Sequence, residues 1–179
     1  MASELHVDAI KHSGGTSAIT IDSSGNVHKA GMVVQTVDFT YAVQLTVNSS
    51  TFTDSGLTGT ITPKFSNSKI YITAFQNFRL SGDHDHGLGF KIIRTLGGSD
   101  TTVYDPVTRN EFYFYDGVAN SQSHEAQGRF PIFAVDTPSS TSACVYKFQF
   151  ASMRTDNSNV CRMQNDNNIS HGFLMEIAQ

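Results

Sequence analysis

The chain has 179 residues, 39% of them hydrophobic and 16% charged, with a formal net charge of −4. Ser, Thr and Asn make up 49 of these residues, and such side chains compete with helical backbone bonds, so long helices are disfavoured. The acidic balance argues against nucleic acid as a partner, which needs clustered Lys and Arg, and no apolar run approaches the roughly 18 residues of a membrane span.

Residues 1–31 read as an extended N-terminal arm. They are too poor in large apolar side chains to bury a core alone. Two short apolar-alternating pieces, Leu5–Val7 and Ile19–Ile21, are punctuated by Ser13-Gly14-Gly15-Thr16 and by Ser23-Ser24-Gly25-Asn26. Glycine supplies positive φ at both turn signals. The apolar residues expected to make the arm's attachment contacts are Leu5, Val7, Ile10, Ile19, Ile21 and Val27. The opening M-A-S-E-L-H-V-D-A-I-K lacks the charged-then-apolar pattern of an export signal, so synthesis in a reducing cytoplasm is expected.

From residue 32 to residue 179 the hydrophobic period is close to two, which predicts a second, β-sandwich unit. Asp54-Ser55-Gly56 predicts a turn. Ile70 to Leu80 carries apolar residues on both faces, as a central strand does. Phe90 and Ile92 alternate with Lys91 and Ile93, and Gly97-Gly98-Ser99 marks a turn. Glu111 to Asp116 reads as an aromatic strand presenting Tyr113 and Tyr115 on one face. Phe130 to Val135 contains Pro131, which confines it to an edge or a bulge. Tyr146, Phe148 and Phe150 alternate with Val145, Lys147 and Gln149, and Phe173 to Ile177 forms a terminal strand. About eight short strands with frequent turns read as an all-β antiparallel sandwich or jelly roll.

Some of these segments carry a resemblance. Residues 52–72 read F-T-D-S-G-L-T-G-T-I-T-P-K-F-S-N-S-K-I-Y-I. They resemble a pattern of aromatic-x-D-[ST]-G-L, then I-T-P, then S-K-I and a strand, found in predicted fibre and virion structural proteins of marine tailed phages. The match runs through Phe52, Asp54, Gly56, Leu57, Ile61, Thr62, Pro63, Ser68, Lys69 and Ile70; the family usually has Trp where Phe52 stands. Asp136-Thr137-Pro138 with Ser142-Ala143 and Tyr146-Lys147 is similar to the family's D-x-P…T-S-A…Y-K strand pair. Leu174-Met175-Glu176-Ile177-Ala178 resembles its terminus, and residues 7–27 resemble its leader and segments of phage fibre shafts. The resemblance implies a homotrimeric β-sandwich head, similar in outline to the tumour-necrosis-factor and complement-C1q heads. It implies a virion surface protein, with the arm docked on other tail or capsid proteins. Two roles follow from it: a tail fibre or fibre head that attaches to a host surface, or a capsid decoration protein that stabilises the shell. A free lectin-like module is a third, and would need export that the sequence does not advertise.

Candidate chemistry is sparse. Asp83-His84-Asp85-His86 lies between Ser81-Gly82 and Gly87, which predicts an exposed loop; side chains two apart also share a strand face, and His84 and His86 from three copies are the only candidate metal ligands. No cofactor is expected. Asp100, Asp105, Glu111 and Asp116 each stand beside a turn signal, where Asp commonly caps, and no nucleophile elbow or phosphate loop occurs, so no enzymatic activity is expected. Tyr113 and Tyr115 suit a glycan or protein receptor on the host surface, or else line a seam between subunits. Receptor contacts usually come from loops on a rigid scaffold; the candidates are residues 81–87, 97–102 and 157–168, the last offering the amides of Asn165 and Asn167. Cys144 and Cys161 are expected on neighbouring strands, where a bridge needs Cα atoms within about 7 Å, while a reducing compartment favours free thiols. The sequons at Asn48 and Asn168 are expected to be silent.

Overall fold

A computed structural model describes residues 6–82, 85–106, 111–115, 124–155 and 159–179. The chain is all-β and antiparallel. Three short strands come first: β1 (Ala9–Lys11), β2 (Ser17–Ile21) and β3 (Val27–His28). The rest are β4 (Val33–Tyr41), β5 (Leu45–Val47), β6 (Thr53–Ile61), β7 (Lys69–Gly82), β8 (His86–Leu96), β9 (Ser99–Tyr104), β10 (Phe112–Phe114), β11 (His124–Asp136), β12 (Cys144–Ser152), β13 (Val160–Met163) and β14 (Ser170–Ile177).

The long strands pair as a rolled-up hairpin. The outermost pair is β4 with β14, then β6 with β12, then β7 with β11, and innermost β8 with β9 and β10. Such nesting, folded over into two sheets, is a jelly roll. The first sheet runs β11-β7-β14-β4, and the second runs β6-β12-β8 with β9 and β10 sharing the free edge of β8. Because β11 lines one side of β7 from Ile70 to Gly82, β14 and β13 must share the other side, β14 along residues 69–75 and β13 along 78–81, with β5 beyond β13.

Alternation explains the core. Tyr146, Phe148 and Phe150 of β12 and Leu88, Phe90 and Ile92 of β8 are fully buried, facing Ile70, Ile72 and Leu80 of β7 and Leu174 of β14. Aromatic rings cross between the sheets: Phe90 stacks on Phe130 at 4.8 Å and Phe78 leans on Phe112 at 4.7 Å. Aromatic pairs at this spacing add to the stabilisation from burial alone. Pro131 lies on β11, an edge strand, where its missing N–H removes no ladder bond. Gly97 and Gly98 close a two-residue hairpin between Leu96 and Ser99 with φ of 57° and 83°, the left-handed pair that such a turn requires.

Two carboxylates, one buried and one half-buried, join segments that are distant in sequence. Glu176 is fully buried. Its Oε1 accepts hydrogen bonds from Lys64 N, Phe65 N and Ser68 Oγ, and its Oε2 from Gln35 Nε2 at 2.6 Å. Asp136 of the first sheet accepts from Arg94 Nη1 and, at 2.8 Å, from the Tyr146 hydroxyl, both of the second sheet. The two groups unite the quoted motifs in pairs: S-K-I with L-M-E-I-A, and D-x-P with Y-K.

Three expectations need correction. Asp54-Ser55-Gly56 is not a turn but a bulge inside β6: the register against β12 jumps from Thr58 opposite Lys147 to Asp54 opposite Gln149. Gly56 takes φ 85°, and a Cβ there would stand 2.1 Å from Tyr41. Among the described residues of the arm strand pairing begins at Ala9, and Leu5 lies outside those residues. The arm is not extended, since β1, β2 and β3 fold into an antiparallel meander. Finally, Cys144 and Cys161 are on strands of different sheets, both buried and both free, because β12 and β13 follow one another in sequence but cross from one sheet to the other.

Candidate functional sites

The meander is built by its turns. Gly15 N donates to His12 O, and the Asp22 carboxylate accepts from Ser24 N, Asn26 N and Asn26 Nδ2. Those bonds, led by the Asn26 side chain, hold the Asp22 carboxyl below its ordinary range. Ile10 pairs with Ile19, and Ile10 and Val27 are exposed while Val7, Ile19 and Ile21 are half-buried. The His28 ring meets Phe65 edge-on at 4.8 Å and hydrogen-bonds Gln179 O. Ile19 also lines an apolar cavity with residues 29–32 where the meander joins the body.

A second cluster lies on the free edge of β8. Phe112 and Phe114 turn inward, so Tyr113 and Tyr115 turn outward with 42% and 73% of their surface exposed. The Tyr113 hydroxyl donates to Asp85 Oδ2 at 3.0 Å, and Arg154 approaches the same oxygen at 3.4 Å. Desolvation and then this bond to Asp85 hold the Tyr113 phenol above its ordinary value. His86 does not belong to this surface. It alternates with Asp85 and shares the inward face of Leu88 and Phe90, so it is fully buried, with its ring 6.4 Å from Phe114. Asp83 and His84 lie outside the described residues. Among the described residues no three His, Cys, Asp or Glu side chains group as metal ligands, and no helix is long and apolar enough to cross a membrane.

The third surface is the outer face of the first sheet. Register places its residues in rows from β11 through β7 and β14. Val135, Tyr71 and Met175 form one row, Phe133, Thr73 and Phe173 the next, and Pro131, Phe75 and His171 the third. Phe133, Phe75 and Val135 are 61%, 47% and 41% exposed, and the Phe133 ring is 6.1 Å from Tyr71. The rows extend roughly 14 Å along the strands and 10 Å across them, a contiguous, largely apolar patch of the kind that marks an interaction site.

Beyond the third row the face changes character. Between the ends of β14 and β13 the chain makes a short turn at Asn165–Asn167, in which Gln164, Asp166 and Asn167 all have left-handed φ near 50–57°. Ser170 Oγ accepts from Asn77 N, and Gln164 N donates to Asn77 O, so the turn stands directly over β7. With Gln127, Gly128 and Arg129 of β11 and Asn168, Asn77 and Asn165 enclose a pit of about 330 Å³. Asn165 is 3% exposed and Asn167 is exposed, its Oδ1 accepting from Gln44 N. Asn167 therefore braces the turn, while Asn165 and Asn168 form its wall towards the pit. Sequence reading found the amide-rich turn but missed Asn77, Gln127 and Arg129, because only the pairing of β7 with β11 brings them to it.

No protein family matches the chain, and no curated protein matches it. Among solved structures it is similar to the VP2 protein of infectious bursal disease virus in a subviral particle, at 14% identity and a TM-score of 0.36, over 97% of this chain and 43% of that one. A point mutant of the same VP2 protein in derived T=1 particles gives 13% identity and a TM-score of 0.29, over 96% of this chain and 41% of that one. The chain thus spans less than half the length of the VP2 chains it resembles.

Proposed function

We propose that the chain is a virion surface structural protein, a homotrimer that serves as a small tail fibre or fibre head in attachment to a host surface. The observation that carries this reading is the apolar outer face of β11, β7 and β14, which leaves Phe133, Phe75 and Val135 open. Further copies of the chain cover it, and the apolar residues of the meander, Ile10 and Val27, contact other virion proteins. The exposed pair Tyr113 and Tyr115, held beside Asp85 and Arg154, presents stacking planes with polar tips to a surface glycan or protein.

The folded meander favours a second reading, capsid decoration. Strands of three, five and two residues reach roughly 15 Å at about 3.3 Å per residue, too little for a shaft. Copy number separates the two. Quantitative mass spectrometry of purified particles is expected to find some tens of copies or fewer for a fibre. A count in the low hundreds, in fixed ratio to the capsid subunit, moves the chain to the shell, and absence from the particle defeats both readings. Deleting residues 2–31 is expected to leave a folded oligomer that no longer joins the particle; incorporation of the truncated chain would remove the arm's assigned role.

A further inference from the structure

The outer face of the first sheet carries opposite charges at two opposite corners. Register extends its rows onto β4: Thr36 stands beside Met175, Asp38 beside Phe173 and Thr40 beside His171, and all three β4 residues are exposed. Val37, Phe39 and Tyr41 pack inward on the core, so strand parity puts Asp38 on the outer face. β4 is one edge of this sheet and β11 the opposite edge. On β11, Arg129 lies two residues from Pro131 on the same face, beside Asn77 of β7. Asp38 and Arg129 are both exposed, and among the described residues neither makes a hydrogen bond or an ion pair. By contrast, Arg79 is held by Glu125, Lys91 by Asp105 and Lys147 by Asp100. Arg162, the other guanidinium of this face, is half-buried opposite Arg79 on β13, away from the apolar rows.

Asp38 and Arg129 cannot meet within one chain. Three steps between strands of about 4.8 Å, and four residues along them of about 3.3 Å, separate the two by roughly 20 Å. The diagonal between them passes between Phe75 and His171, so the uncovered apolar rows lie between the two charges. An apolar field with an unpaired carboxylate at one corner and an unpaired guanidinium at the other is complementary to itself. We propose that this face is an interface between copies of the chain packed head to tail, in which Asp38 of one copy pairs with Arg129 of the next. The apolar rows supply the buried surface. The ion pair sets which corner meets which, as charges do at interfaces, and the guanidinium fork matches a carboxylate with two parallel bonds. A head-to-tail contact leaves one corner of each end copy unused until a ring closes, and in a closed ring every Asp38 and every Arg129 is paired. The inference rests on the reading that further copies cover this face, and adds the direction of the contact and the residues that set it.

The test is charge exchange on the full chain, read by analytical ultracentrifugation, with urea midpoints to show that each variant folds. The parent is expected to sediment as an oligomer. Asp38→Arg and Arg129→Asp are each expected to raise its dissociation constant by about tenfold or more, since like charges then meet at the seam. Combined in one chain, they are expected to return it to within about threefold of the parent, the signature of a direct pair. Thr60→Arg, on the exposed face of β6 in the other sheet, is expected to associate as the parent does. Mixing the two single variants reads the direction of the contact. Unlike variants attract at both corners, but a ring of three must contain one contact between like variants, so the mixture is expected to fall short of the parent's assembly. Full recovery as a two-subunit species would make the contact two-fold and overturn the head-to-tail arrangement. Unchanged association of the single variants, or a double variant no better than the weaker single one, overturns the ion pair; an oligomer that Phe133→Asp still dissociates then keeps the covered face. A parent chain that remains a single subunit overturns the inference together with the reading beneath it.

Discussion

Glu111 illustrates how a carboxylate that looks available for chemistry is consumed by structure. Its Oε1 accepts from the Tyr104 hydroxyl and its Oε2 from Phe90 N, so it ties β9 and the start of β10 to β8. That hydrogen bond, with burial second, pushes the Tyr104 phenol up to about 12 from its ordinary 10. The sign follows: the folded state favours the neutral phenol, so the stabilisation is complete below pH 10 and is lost as pH rises through about 12. Ultraviolet titration is expected to show a tyrosinate component near pH 12 that Tyr104→Phe removes, and the stability of the parent chain is expected to fall over the same window. A component that persists in Tyr104→Phe would assign it elsewhere. Tyr146 is displaced further upward, by burial first and then by its bond to Asp136. The thiols of Cys144 and Cys161 are also raised, in both cases chiefly by burial, which suits inert core thiols.

At the scale of elements, two devices set how strands meet. The bulge in β6 needs Gly56: a side chain there would demand φ 85° and would overlap the Tyr41 ring. Gly56→Ala is expected to cost about 1–3 kcal/mol, read as a lowered urea midpoint with an unchanged slope. The second device is Glu176, which receives both backbone and side-chain donors of the 64–68 loop as well as Gln35. Glu176→Gln turns one acceptor into a donor against donors, and is expected to cost about 2–3 kcal/mol. Protection of the Lys64 and Phe65 amides in hydrogen exchange should fall with it; unchanged protection would mean that the loop is held by other bonds. The pairing of motifs through Glu176 and Asp136 gives a physical reason for their order along the chain, since each pair closes one end of a nested strand pair.

For the whole molecule, the uncovered rows on the outer face of the first sheet are the largest departure from a self-contained sandwich. Placing a charge in them tests what covers them. On the proposal that further copies of the chain cover them, Phe133→Asp is expected to give single subunits in light scattering where the parent gives an oligomer, with the far-ultraviolet spectrum unchanged because Phe133 makes no core contact. An oligomer that survives this substitution moves the seam to another surface and leaves the apolar rows for a different partner.

Much of this architecture is legible in the residues themselves. Period-two alternation marks the inward faces of β8, β12 and β14, Pro131 marks an edge, and the Gly97-Gly98 pair marks a tight hairpin, because each is a local consequence of backbone geometry. Tertiary structure alone decided the rest. Asp54-Ser55-Gly56 carries turn chemistry, yet pairing with β12 and the Tyr41 ring make it a bulge. His86 lies in a polar tetrapeptide, yet strand parity turns it into the core. Cys144 and Cys161 follow one another on successive strands, yet the roll places them in opposite sheets. The pit gathers residues 77, 127–129, 165 and 168 from three elements. Alternation tells which residues share a face but not which strand covers that face, and a site assembled across strands therefore leaves no local trace.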